Sequence, residues 1–237
     1  MAAMAPIEIV LSGPGKNAMS SSMMRWIREQ LAAADRRPIL LVGDGDAFSA
    51  GLDLKEVASL DQEEMARFLG LLSDVVAELY HYPGPSVACV NGHAIAGGCV
   101  LTLASDWRIA TENPRARIGL NEVALGVRFP PRVLEVVRRR LPTRHVERVL
   151  LGGALHAPKN ALELGLIDEL AGDPLTLARE RLAELAAHPA DSYAALKARL
   201  RPSSEPSSTA QALFRSEDVP AWTTASVKEA IGKLLRR

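Results

Sequence analysis

The sequence lacks an excess of charge: 28 basic and 28 acidic residues among 237 give a formal net charge of zero. No global field therefore gathers nucleic acid or an anionic bilayer, and neither is expected as a partner. It has only two cysteines, Cys89 and Cys99, both in apolar stretches (VACV and GGCVLTLA). A small buried thiol is the ordinary expectation there, and it fits a reducing compartment. No uninterrupted apolar run approaches bilayer-spanning length. The opening MAAMAPIEIV shows neither an arginine-rich amphipathic pattern nor a basic start leading into a long apolar run, and the terminal LLRR is no peroxisomal address. The expectation is a soluble, cytoplasmic protein.

Several familiar motifs are also missing. GPGKN (13–17) hints at a phosphate loop, but the Walker pattern needs Gly where Val10 stands and Ser or Thr where Asn17 stands. GDGDAF (43–48) follows a calcium loop for four residues and then places Phe48 where a ligand is needed, so it reads as a turn. The five histidines form no H-x-x-x-H pair and have no clustered cysteines, which disfavours zinc. No G-x-S-x-G elbow and no fixed-period repeat occurs.

What is present is a chain 48% hydrophobic, enough for a full core. IEIVL (7–11), PILLV (38–42), SVACV (86–90) and DWRIA (106–110) are short apolar runs that read as strands. Between them fall helical periodicities. Met19, Met23, Trp26, Ile27 and Leu31 share one face over 18–34, and Met65, Phe68, Leu69, Leu72, Val75, Val76 and Leu79 recur before HYPGP breaks the second helix. Strands alternating with helices predict a mainly parallel sheet. After Pro130 the pattern is wholly helical, with a Pro/Ser-rich connection (201–209), an ordered turn or a mobile link, before a last helix near 224–236.

Two glycine-containing segments follow predicted strands: GDAFSAGLDLKE (45–56) and VNGHAIAGGCVLTLASD (90–106). Glycine at a strand exit lets backbone approach a ligand, and a helix starting there presents free N–H groups at its positive end. Such segments bind anions, or they are tight turns with no ligand.

FSAGLDLKE, VNGHAIAGG, NPRARIGLNEVALGV (113–127) and GGALHAPKNALELGLIDEL (152–170) resemble, in order, the crotonase or enoyl-CoA hydratase/isomerase superfamily. The third is similar to Δ3,Δ2-enoyl-CoA isomerases. The resemblance implies an α/β crotonase-like (ClpP/crotonase) fold: repeated β-β-α units form a mainly parallel sheet in a core over 1–128, and helices over 129–237 serve packing and trimerisation. It implies oxyanion-binding N–H groups at Leu52 and Gly97, and Glu122 as the base. Val100 stands where family hydratases carry a second Glu, a departure that favours a double-bond shift over hydration. Contacts to substrate or coenzyme A are implied for Lys16, Ala18, Ala47, Phe48, Ser49, Ala50, Val100 and Asn121. His93 and Asn121 flank the two motifs, and Lys55 is a second candidate for phosphate; Asp53 and Asp106 read as structural. The R-P-E-x-x-N-A segment of the family has become GPGKNA, which leaves a carrier-protein thioester open beside coenzyme A. By resemblance the chain needs no metal or redox cofactor, coenzyme A being part of the substrate, and it forms a homotrimer or a dimer of trimers. The expected activity is enoyl-thioester isomerisation; the alternatives are hydration, decarboxylation, thioester hydrolysis or non-catalytic acyl-CoA binding.

Overall fold

The computed structural model describes residues 5–236. The first four residues of MAAMAPIEIV and the last of LLRR lie outside the described residues. The apolar runs form strands β1 (Ile7–Leu11), β2 (Ile39–Gly43), β4 (Ser86–Val90) and β6 (Trp107–Thr111), with β3 (Ala47–Ser49), β5 (His93–Ile95), β7 (Ile118–Gly119) and β8 (Glu169–Ala171) between and after them. All pairings among them are parallel: one sheet runs β1-β2-β4-β6-β8 and a second runs β3-β5-β7.

Strands β2 and β4 are buried on both faces, which is why they read as unbroken apolar runs rather than alternations. Side chains leave a strand alternately. Leu40, Val42, Val87, Cys89 and Ile109 meet Ala178 and Leu182 of the helix Pro174–Ala186. Ile39, Leu41, Ala88, Val90 and Ala110 belong to the main core with the helices Ser21–Ala34, Gln62–Tyr80 and Gly97–Ala104. The helix expected from residue 18 begins at Ser21 because the Ser20 side chain accepts from Met23 N and caps it.

One expectation is corrected. The region after Pro130 is not wholly helical: β8 pairs with β6 and closes one edge of the larger sheet. Three residues between a turn and a helix carry too little alternation to be read as a strand. The short strands β3, β5 and β7 each follow a long strand and precede a helix, as the β-β-α units of the resemblance imply, and they make the sheet that carries the site. Residues 202–207 run without regular structure, with buried Ser204 meeting His81 Nε2 at 3.1 Å and Glu205 pairing with Arg132, and the helix Ser208–Leu213 follows directly. Among the described residues no helix is long and apolar enough to cross a membrane.

Candidate active site

The loop after β1 fixes the first half of the site. Lys16 and Asn17 adopt left-handed backbone (φ 60° and 58°), a conformation Asn tolerates better than most residues. Buried Asn17 donates from Nδ2 to the carbonyls of Asp44 (2.9 Å) and Ala47 (2.8 Å), and its own carbonyl accepts from Ser49 Oγ (2.8 Å). These bonds tie β3 to the β1 loop. The next residues are held by Met19, whose N–H donates to Gly51 O (2.7 Å) and whose carbonyl accepts from Asp53 N (3.0 Å). Asp53 then caps the helix Leu54–Ser59 through Lys55 N and Glu56 N. Leu52 N–H is left between these bonds with no acceptor among the described residues.

The second half comes from the turn between β5 and the helix Gly97–Ala104. Ala96 is held at φ 48°, ψ −117°, an unusual conformation for a residue with a Cβ, while its N–H donates to Gly119 O and its carbonyl accepts from Val100 N. Gly97 is the first residue of that helix, so its N–H has no partner within it. The two halves touch. A Cβ on Gly51 (φ 93°) would sit 2.8 Å from Ile95 O and 3.3 Å from Gly97 N, and one on Gly98 would lie 2.4 Å from Ser49 O. Glycine is required at both places for the turns to approach this closely.

Glu122 opens the short helix Glu122–Leu125 after β7, and Gly126 ends it in left-handed backbone. Its side chain is buried (6% exposed), and Oε2 has no hydrogen-bond partner among the described residues. Burial pushes its carboxyl up to about 8. The two nearby arginines that could have neutralised it are engaged elsewhere: Arg117 donates to the carbonyls of Pro114 and Ala116, and Arg128 pairs with Asp218.

Ala50, Leu52, Gly97, Val100, Asn121 and Glu122 line one cavity of about 260 Å³, closed by apolar side chains that include Leu72, Phe129, Val133 and Trp222. Asn121 Oδ1 is also buried without a partner. The cavity is therefore an apolar space with two buried, unpartnered side-chain oxygens, Glu122 Oε2 and Asn121 Oδ1, on its wall. Lys16, Ala18, Ala47, Phe48 and Ser49 do not line it. Lys16 Nζ is 3.1 Å from Asp46, Ala47 and Phe48 are buried in β3, and the Ser49 hydroxyl is spent on Asn17. His93 Nδ1 accepts from Arg117 N (3.2 Å), a local backbone bond, and Lys55 is exposed. Of Met65, Phe68, Leu69 and Leu72, only Leu72 reaches the cavity.

Sequence reasoning missed Asn17 as the staple of the first loop and missed Trp222, Ile231 and Leu234, which line the cavity from the chain's last helices. Among the described residues no group of three or more His, Cys, Asp or Glu side chains could hold a metal.

Residues 4–232 match the profile of the family described as enoyl-CoA hydratase/isomerase. The human mitochondrial enoyl-CoA delta isomerase 1 is 30% identical over 203 residues, 84% of this chain and 66% of that protein. A putative enoyl-CoA hydratase of Thermus thermophilus is 36% identical over 157 residues, 65% of this chain and 60% of that protein. The matched regions thus span just under two thirds of these relatives' lengths. The crystal structure of the human mitochondrial delta3-delta2-enoyl-CoA isomerase superposes with a TM-score of 0.85 at 27% identity, covering 98% of this chain and 93% of that one. With the parallel α/β architecture and the motif order already described, these likenesses place the chain in the crotonase superfamily, as a member of the enoyl-CoA hydratase/isomerase family.

Proposed function

We propose that the chain is an acyl-thioester isomerase that moves a 3-enoyl double bond to the conjugated 2-position. The observation that carries this reading is the solitary carboxylate: Glu122 is the one acidic side chain lining the cavity among the described residues, and Val100, which the resemblance sets where hydratases carry a second Glu, lines the same cavity. With the thioester oxygen at the Leu52 and Gly97 N–H groups, ionised Glu122 removes a proton from C2. The electron pair moves into the C1–C2 bond and the negative charge onto the oxygen, giving a dienolate stabilised by both donors. The protonated Glu122 then returns its proton to C4, and the double bond comes to rest between C2 and C3. A carboxylate stripped of solvent and ion pairs is a better base for a weakly acidic α-carbon than an exposed one.

Glu122→Gln keeps the shape and removes the base; isomerisation should fall by about 10²–10⁴ with ligand binding retained. Near-parental turnover together with parental exchange of the C2 proton in deuterated solvent would sink the reading. Hydration, the activity named for the Thermus relative, is separated by Val100→Glu. A second carboxylate facing Glu122 should hold a water and confer slow hydration of crotonyl-CoA, with isomerisation reduced. If the parent hydrates crotonyl-CoA as fast as it isomerises a 3-enoyl ester, the hydratase reading replaces this one. The thioester is carried by coenzyme A or a carrier protein, and the assembly is a homotrimer or a dimer of trimers. Exposed Leu151 and Val123 supply apolar surface for such an assembly, and sedimentation measures it.

A further inference from the structure

We infer that Trp222 sets the length of acyl chain this site accepts; the inference rests on the thioester reading above. Trp222 is the largest side chain lining the cavity and is itself 5% exposed. Its one polar atom is already used, since Nε1 donates to the carbonyl of Arg128 at 2.9 Å. The ring therefore offers the cavity only apolar surface and is held by a directed bond as well as by packing.

That bond belongs to a clamp. Arg128 also pairs through Nη1 with Asp218 (3.0 Å) and Glu217 (3.7 Å), in the turn of helix that leads into Val219–Trp222. Both the carbonyl and the guanidinium of one residue thus fix the segment that carries the indole. Behind it the helix Ala225–Leu235 supplies Ile231 and Leu234 to the same cavity, and Val227 on that helix lies 3.7 Å from where a Cβ on Gly126 would stand, directly after the Glu122–Leu125 helix. The last helices wall in the site's apolar side.

The cavity is small, about 260 Å³, so a bulky wall residue bears directly on how long a chain fits. Each methylene buried within the limit should tighten binding about fourfold, and each one beyond it should gain nothing or clash.

The test is calorimetric binding of saturated acyl-CoAs from butanoyl to dodecanoyl, which need no turnover, to the parent, Trp222→Phe and Trp222→Ala, with thermal unfolding run alongside. The parent should show an optimum chain length within this series and bind dodecanoyl at least tenfold more weakly than at that optimum. Trp222→Ala should move the optimum to longer chains, and Trp222→Phe, which retains most of the packing, should move it less in the same direction. An unchanged optimum in folded Trp222→Phe and Trp222→Ala, or a parent that binds dodecanoyl as tightly as every shorter chain, overturns the inference and leaves the thioester reading standing. A parent that binds no acyl-CoA of any length overturns both.

Discussion

Two buried carboxylates in this chain live in opposite surroundings. Asp106, at the mouth of β6, is enclosed by cations: its Oδ2 accepts from Lys197 Nζ (2.8 Å), Ser86 N and the Tyr193 hydroxyl, and its Oδ1, which receives no hydrogen bond, lies within ion-pair distance of Lys197 Nζ (2.7 Å) and Arg201 Nη1 (2.8 Å). Glu122 is as deeply buried and has no ion pair. A buried charge costs several kcal/mol unless it is paired, so the fold meets that cost at Asp106 with cations and at Glu122 by raising the carboxyl's affinity for its proton. One arrangement docks the helix Ala190–Leu200 onto the core. The other leaves an unpaired carboxyl on the wall of a cavity, which is the kind of perturbed group that marks functional sites.

The contrast breaks most visibly at Asp106. Asp106→Asn leaves Lys197 and Arg201 buried without their counter-charge, and stability should fall by about 3–5 kcal/mol in denaturant unfolding. Burial already pushes Lys197 down to about 8 while Asp106 pulls it back up. A lysine with a depressed folded value contributes stability at high pH that is lost as pH falls through that value. The deficit of the variant should therefore be larger at pH 6 than at pH 9, and adding Lys197→Met should recover part of it. A loss under about 1 kcal/mol at both pH values would show that the cluster is not holding the helix.

Glu122 should behave in the reverse sense and with a smaller effect. Its folded value, near 8, stands above the ordinary carboxylate range, so the parent's stability is fullest below that range and declines as pH rises towards 8. Glu122→Gln does not titrate. Its stability should gain on the parent by up to about 1.4 kcal/mol per pH unit between pH 5 and 8, measured as the difference of two unfolding curves. Activity runs the other way, because the base must be ionised: isomerase kcat/KM should fall towards tenfold per unit below pH 8 and level off above it. A flat profile from pH 6 to 9 would mean that Glu122 is ionised throughout and that the cavity is wetter than its lining implies.

The sequence showed the four long strands and the glycine turns of AGLD and AIAGG by local rules, and the roles of Leu52, Gly97, Val100 and Glu122 only through the family resemblance; the structure brings these residues and Asn121 to one cavity. It was silent where the partner is distant in the chain. Asn17 works through carbonyls about 30 residues away, and β3, β5 and β7 are too short to show a period. Trp222 reaches a carbonyl 94 residues earlier, so nothing near it in the sequence could announce a wall of the site. Val100 sits between these cases: its helix was readable, but its exposure to the cavity depends on where Glu122 is brought by another strand.

The smallest effect concerns Lys16, expected from the sequence near the phosphates of coenzyme A and found beside Asp46 instead, the two side chains 51% and 81% exposed. An exposed pair of this kind contributes little, so Lys16→Ala should barely change thermal unfolding. The pair nevertheless holds Lys16 by a carboxylate that would compete with any phosphate for it. Asp46→Ala frees the ammonium, and if a coenzyme A phosphate docks there, affinity for an acyl-CoA should rise by about a few-fold at most. The gain should disappear above roughly 0.5 M salt, because screening acts strongly on exposed charges. An acyl-pantetheine thioester, which lacks the nucleotide, should show no gain at any salt. If Asp46→Ala changes both esters alike, the lysine has no phosphate to meet and the GPGKNA loop is a scaffold for Asn17 alone.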